Sequence, residues 1–160
     1  EIIDALLQSI SGEVVLLGSS LGGYLAALNA GKWKKVVKLV LMAPAFDFVN
    51  RYFQRLTPAQ LLEWQKTGFI RLYHFQYKGY RQLGYQMVKD AQNYKDLSLN
   101  PGISTLIFHG LQDESVPYHV SIEYLRNHPN SELILMHSDH GLYDHLDKMW
   151  GYIKIFLNLH

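Results

Sequence analysis

The sequence predicts an α/β fold, a mostly parallel β-sheet with helices on both faces. Short apolar runs of strand length alternate along the chain with segments of helical length, which is typical of βα units. Two of these runs, residues 14–17 and 39–43, contain no polar residue. That pattern indicates strands buried on both faces of a parallel sheet. With 160 residues, 48% of them hydrophobic, the chain has the size and composition of one globular domain.

Four strands and four helices of this domain are predicted from their patterns. The strands are expected at residues 13–17, 36–42, 104–108 and 132–136. The helices are expected at residues 2–9, at 21–30 with Gly31 as a C-terminal cap, at 118–127, and at the C-terminus. The last helix is predicted from apolar residues that recur on one helix face: Leu142, Leu146, Met149, Trp150, Ile153 and Phe156.

Residues 47–100 are expected to form a helical, aromatic-rich insertion in the domain. Twelve of the 21 aromatic residues fall between Phe46 and Tyr94. Within this stretch, Thr57-Pro58 followed by Gln60 is the pattern of a helix N-terminus with a capping box, and Gly68 would end that helix. A second helix is expected at residues 81–94.

Charge and composition exclude several classes of function. Fifteen basic and 14 acidic residues leave a formal charge of +1, so the chain has no electrostatic footprint for nucleic acid or an anionic membrane. Its apolar runs fall short of the roughly 20 residues that span a bilayer. The absence of cysteine excludes disulfides, thiolate catalysis and cysteine-ligated metals. Nothing resembles a signal peptide, and we expect a cytoplasmic protein.

The strongest chemical signal is the sequence Gly18-Ser19-Ser20-Leu21-Gly22, a G-x-S-x-G between a predicted strand and a predicted helix. A serine in that context lies on a sharp turn that exposes its hydroxyl above the sheet, which predicts Ser20 as a nucleophile. The helix N-terminus favours a developing oxyanion, and the Leu21 N–H is the expected donor. The alternative is a small-residue turn without chemistry.

An acidic residue follows the third predicted strand, in the sequence His109-Gly-Leu-Gln-Asp113-Glu114. The carboxyl ends of parallel strands lie at one edge of a sheet, so Asp113 is expected to approach Ser20 and to orient a catalytic base. Glu114 is the nearest rival for this role. Asp113 could instead be a turn residue or a helix cap.

The base is expected at His140, in the sequence Ser138-Asp139-His140 after the last predicted strand. Imidazole suits the role because its unperturbed pKa, about 6.5, leaves it largely neutral at pH 7. The position of its loop, together with the chain order Ser, Asp, His, favours His140 over its neighbours His137 and His145. Asp139 is better placed to orient a backbone amide than to hold the imidazole.

A metal site is the other reading of this C-terminal loop. The residues that could contribute ligands are His137, Asp139, His140, Asp144 and His145. Their spacing does not match H-E-x-x-H or a comparable motif. We therefore expect neither a metal nor another cofactor.

With these motifs placed, the whole chain resembles the α/β-hydrolase superfamily. The tracts Gly18–Tyr24, 109–117 and 138–140 are similar to those of a small serine esterase branch, which includes the YqiA/YcfP-like bacterial esterases and the mitochondrial acyl-glucuronide esterase and depalmitoylase group. The region of Trp64, Gly68 and residues 86–94 resembles the short cap insertion of the latter group. The resemblance thus marks residues 47–100 as a cap, which would contribute an apolar pocket.

The resemblance implies hydrolysis of carboxylic esters or thioesters of small molecules through an acyl-enzyme on Ser20, without cofactor. Members of the family have several strands before the nucleophile strand, and a loop among them supplies a second oxyanion N–H. Only about a dozen residues precede the first predicted strand here. We therefore expect that further N-terminal strands exist outside these 160 residues.

Two other functions stay open at the level of sequence. In an acyltransferase, an alcohol or amine would replace water as the acceptor from the same acyl-enzyme. A non-catalytic binding module could keep the fold without the chemistry. Acyl chain, leaving group and oligomeric state are not encoded in any pattern we recognise.

Overall fold

A computed structural model describes residues 2–74, 79–92, 99 and 102–159 of the chain. Its strands are β1 (Val14–Ser19), β2 (Val36–Met42), β3 (Phe69–His74), β4 (Gly79–Gly84), β5 (Ser104–Gly110) and β6 (Ser131–Met136). Its helices are α1 (Ile2–Ser9), α2 (Leu21–Lys32), α3 (Phe48–Arg55), α4 (Pro58–Thr67), α5 (Tyr85–Gln92), α6 (His119–Asn127) and α7 (Leu146–Leu157), with a 3-10 turn at Tyr143–His145.

The main sheet has the strand order β1-β2-β5-β6, and every neighbouring pair in it is parallel. Because the strands run in one direction, the loops that follow β1, β5 and β6 all leave the same edge of the sheet. The predicted parallel sheet is confirmed, and this edge is where Ser20, Asp113 and His140 lie.

Alternate residues of the central strands pack into two separate hydrophobic cores, one on each face of the sheet. Leu39, Leu41 and Ile107 pack with residues of α1, α2 and α6. Val40 and its neighbours on the other face pack with Met149 of α7. Since successive side chains of a strand point to opposite faces, unbroken apolar runs are what a sheet covered on both sides requires.

The chain divides into two compact units, one formed by Glu1–Phe46 with Leu97–His160 and the other by Asp47–Asp96. The second unit has its own small core around buried Trp64 and Val88. Trp64 also donates its indole N–H to the carbonyl of Leu83 at 3.0 Å. The assignment of this unit as a cap stays a prediction.

The predicted capping box at the start of α4 is present. The Thr57 hydroxyl accepts from the Gln60 amide, and the Gln60 side chain accepts from the Thr57 amide. Gly68 ends the helix in the left-handed conformation, with φ 82°. Local sequence was sufficient here because both ends of this helix depend on contacts within a few residues.

The prediction of a helix over residues 81–94 was wrong for its first part, residues 81–84. Residues 79–84 form strand β4, which pairs antiparallel with β3 in the register Ile70↔Leu83 and Leu72↔Arg81. Pairing with a second strand overrides the local helical pattern, and the helix α5 begins only at Tyr85. Residues 93 and 94 lie outside the described part of the chain.

Two smaller predictions about helices also need correction. Gly31 does not cap α2, which continues to Lys32 and ends when the extended Trp33 donates its amide to Asn29 O. In α7, Met149 and Ile153 are buried, but Leu146 and Trp150 are more than half exposed. A spacing pattern alone could not distinguish these two pairs.

No helix among the described residues is long and apolar enough to cross a membrane.

Candidate active site

Ser20 lies on a strained turn between β1 and α2. Its φ of 52° and ψ of −122° are unusual for a residue with a side chain, and such a conformation persists only when its surroundings impose it. The Ser20 amide donates to Met42 O at 2.9 Å, and the Ser20 carbonyl accepts from Ala45 at 2.9 Å. The end of β2 therefore holds the turn in the geometry of a nucleophile elbow.

Close approach of backbone explains two glycines at this turn. A Cβ on Gly18 would lie 2.4 Å from Gly22 O, and one on Gly23 would lie 3.1 Å from both Gly18 O and Pro44 Cβ. Gly22 itself faces open space, so the close approach does not explain this second glycine of the motif. The sequence motif did not indicate the requirement at Gly23.

Leu21, the predicted oxyanion donor, is the first residue of α2. N–H groups in the first turn of a helix lack intrahelical acceptors and carry the positive end of the helix dipole. The position of Leu21 therefore suits an N–H that stabilises negative charge next to Ser20. Its role in catalysis stays a prediction.

Asp113 is buried in the loop after β5, and both of its carboxylate oxygens are hydrogen-bonded. One oxygen, Oδ1, accepts from the amides of Ser115 at 2.9 Å and Val116 at 2.7 Å. The other, Oδ2, accepts from His140 Nδ1 at 2.7 Å. Asp113 is thus a turn residue through one oxygen and holds an imidazole through the other. Its rival Glu114 is exposed.

The pKa of Asp113 lies well below its usual range. Burial by itself raises the pKa of this carboxyl, but the hydrogen bonds from His109, His140 and the Val116 amide lower it by more. Asp113 is consequently ionised at neutral pH, and its carboxylate can only accept from His140, so the Nδ1 of His140 is the donor in this pair.

The loop that carries His140 is hydrogen-bonded to the 3-10 turn that follows it and to the loop of Asp113. Ser138 Oγ donates to Asp144 Oδ1 at 2.5 Å, and the Gly141 amide donates to Asp139 Oδ1 at 2.8 Å. Asp139 therefore orients a backbone amide, as expected. The Gln112 amide donates to Ser138 O at 3.0 Å, which joins this loop to the one after β5.

The structure joins Asp113 to His140, whereas no hydrogen bond between Ser20 Oγ and His140 is present among the described residues. Catalytic hydrogen bonds are often long in enzymes without substrate. Of the three candidate histidines in the described part of the chain, His140 is the one hydrogen-bonded to Asp113. His137 is exposed, and its carbonyl accepts from His145 Nε2 at 3.2 Å. Ser20 and His140 are both half-buried.

Gly110, at the end of β5, is a requirement that sequence reasoning missed. A Cβ there would lie 2.4 Å from both Asp139 O and Ser138 O, in the loop that carries His140. The glycine therefore allows the loops of Asp113 and His140 to touch. The only sequence signal was its place between a strand and an acidic turn.

We expect Gly110→Ala to destabilise the fold by about 1–3 kcal/mol, because the backbone of Ser138 and Asp139 must move away from the added Cβ. The same substitution at Gly151, inside α7 with open space around it, should stabilise by about 0.5–1 kcal/mol, since alanine favours helix. Urea unfolding of both variants measures the two effects. Equal stability of Gly110→Ala and the unchanged protein would show that the loops adjust freely.

Comparison with known proteins identifies the family of this chain and a relative of similar sequence. The sequence model of the uncharacterised protein family UPF0227 matches residues 1–157. The chain is 29% identical, over 92% of its own length, to the mitochondrial palmitoyl-protein thioesterase ABHD10 of Rattus norvegicus, and it covers 52% of that relative. It thus spans about half the length of the curated relative.

Solved structures show the same fold. Alpha/beta hydrolase domain-containing protein 10 from mouse superposes with a TM-score of 0.79 at 24% identity, covering 99% of this chain and 68% of that one. Est1E from Butyrivibrio proteoclasticus superposes with a TM-score of 0.66 at 22% identity, covering 98% and 65%. The chain therefore has the α/β-hydrolase fold.

Proposed function

The chain belongs to the uncharacterised protein family UPF0227, and from its α/β-hydrolase fold and the geometry of its candidate site we propose that it acts as a serine hydrolase of carboxylic esters or thioesters. Ser20 is the nucleophile, His140 the base and Asp113 the acid that orients the base. The observation that carries the proposal is the 2.7 Å hydrogen bond between His140 Nδ1 and the buried Asp113 carboxylate.

In the proposed reaction, Ser20 Oγ attacks the acyl carbonyl carbon while His140 Nε2 takes the Oγ proton. The Leu21 N–H stabilises the oxyanion of the tetrahedral intermediate. When that intermediate collapses, the bond to the alcohol or thiol breaks, and the leaving group takes the proton from His140. Water then attacks the acyl carbonyl carbon and gives one proton to His140. When this second tetrahedral intermediate collapses, the bond to Ser20 Oγ breaks, Oγ takes that proton from His140, and the carboxylic acid is released.

Thioesters belong in the proposed substrate class because the similar rat protein is named a palmitoyl-protein thioesterase. A thioester requires no further chemistry from Ser20 than an ester does, since the thiol leaves in place of the alcohol. A cytoplasmic location for this chain stays a prediction, since the same relative is named as mitochondrial.

The proposal is tested by covalent labelling of the natural protein with a fluorophosphonate, which phosphonylates an activated serine hydroxyl. Mass spectrometry of the digested protein should place the adduct on the peptide with Ser20, and heat denaturation before labelling should prevent it. Hydrolysis of p-nitrophenyl esters and of an acyl thioester should decline in parallel with labelling. A folded protein whose Ser20 stays unmodified would contradict the proposal.

A further inference from the structure

His109, at the end of β5, is a fully buried imidazole that the proposed mechanism does not use. Its relative exposure is 0%, and both ring nitrogens have partners. Nδ1 lies 2.7 Å from Ser121 Oγ on α6, and Nε2 lies 2.9 Å from the carbonyl oxygen of Val116. A buried polar ring is costly unless it is hydrogen-bonded, and this ring is.

These partners determine which nitrogen of His109 carries hydrogen. A carbonyl oxygen can only accept, so the nitrogen that faces Val116, Nε2, must be the donor. The hydroxyl of Ser121 can donate, and Nδ1 can accept from it. A neutral imidazole with its hydrogen on Nε2 therefore satisfies both contacts.

The Nε2–H of His109 also faces the candidate triad. Asp113 Oδ2 lies 3.3 Å from His109 Nε2, and the same oxygen accepts from His140 Nδ1 at 2.7 Å. One carboxylate oxygen thus lies between two imidazoles, while backbone amides hold the other oxygen. His109 Nε2 is thus a second ring nitrogen close to the oxygen that holds His140.

We infer that His109 is a positioning residue, which ties α6 through Ser121 to the Asp113 carboxylate and so fixes the oxygen that holds His140. The inference rests on the proposed function. Hydrogen-bonding partners of metal-binding histidines and carboxylates typically contribute about 10–100-fold to activity, and we expect an effect of that size for the partner of Asp113. A residue that only filled space here would need neither the Ser121 contact nor a donor towards Asp113.

The test uses variants of the natural full-length protein. His109→Leu should lower kcat for p-nitrophenyl ester hydrolysis about 10–100-fold with KM little changed, because substrate does not touch His109. His109→Gln keeps an N–H donor at a similar reach and should recover much of the loss. Ser121→Ala, which removes the partner of His109 Nδ1 and so its link to α6, should give an intermediate loss and carries the test if His109→Leu does not fold.

A proton NMR signal gives a readout that is independent of turnover. The His140 Nδ1–H, assigned by its loss in His140→Gln, should resonate downfield of the amides in the unchanged protein. It should broaden or vanish through solvent exchange in His109→Leu and persist in His109→Gln. The matched control is Thr105→Val, a near-isosteric change at another fully buried position of β5, which should leave this signal and kcat unchanged.

Each outcome separates the two proposals. If the unchanged protein is labelled on Ser20 but His109→Leu retains both kcat and the downfield signal, the role of His109 is excluded and the proposed function stands. An equal loss of kcat in Thr105→Val would show that any buried change in β5 lowers kcat and that His109 has no specific role in positioning Asp113. If the unchanged protein does not react at all, the proposed function fails, and the NMR signal still decides whether His109 restrains the Asp113–His140 pair.

Discussion

Ser20→Ala is expected to abolish fluorophosphonate labelling and to lower kcat for ester hydrolysis by about 10⁶-fold. Removing the serine of a comparable triad costs that much because no other group forms the acyl-enzyme. The change deletes one half-buried oxygen that accepts no helix-capping hydrogen bond. Stability should therefore change little, and kinetics together with a thermal melt measure both quantities.

The matched control for this variant is Ser19→Ala, in the neighbouring position of the same turn. Ser19 is the last residue of β1 and is exposed. Its hydroxyl has no part in the proposed mechanism, so labelling and turnover should be those of the unchanged protein. Full hydrolysis by Ser20→Ala, or its loss in Ser19→Ala alone, would overturn the assignment of the nucleophile.

Asp113→Asn is expected to lower kcat by about 10⁴-fold while leaving the overall fold in place. The substitution presents an amide to His140 Nδ1, which favours the tautomer whose Nε2 carries hydrogen and cannot act as a base. Kinetics of the variant test the effect. Glu114→Gln is the control, since it removes a neighbouring exposed carboxylate and should leave kcat unchanged. A larger loss in Glu114→Gln than in Asp113→Asn would make Glu114 the acid.

The depressed pKa of Asp113 predicts that its contribution to the free energy of unfolding depends on pH, and Asp113→Asn measures that contribution. The pKa of Asp113 is depressed in the folded protein, so its ionised form stabilises the fold above the unfolded pKa of about 3.9. That contribution decreases as the pH falls below about 4. The difference in unfolding free energy between the unchanged protein and Asp113→Asn should therefore be largest near neutral pH and shrink in acid. A difference that grew in acid would contradict the depressed pKa.

Strands and helices with strong local patterns were predictable from the sequence because each pattern reports the burial of its own segment. The run at β2 was predicted with its observed bounds, Val36–Met42, since six of its seven residues are apolar, as is typical of a strand buried on both faces. The capping box of α4 depends only on residues 57–60. Strand β4 was missed because its pairing with β3 is a contact between segments, which no single segment encodes.

The sequence by itself determined the fold class, the strained turn at Ser20 and the order of serine, aspartate and histidine along the chain, because strand–turn–helix signals are local. Tertiary structure decided which acid meets which imidazole. Asp113 and His140 are 27 residues apart and meet only because β5 and β6 are neighbours in the sheet. The same pairing makes a side chain at Gly110 impossible without movement of the loop. The turn after β5 places His109, which resembles any other strand residue in the sequence, against the carboxylate of Asp113, and only the packing of α6 on the sheet supplies its second partner, Ser121.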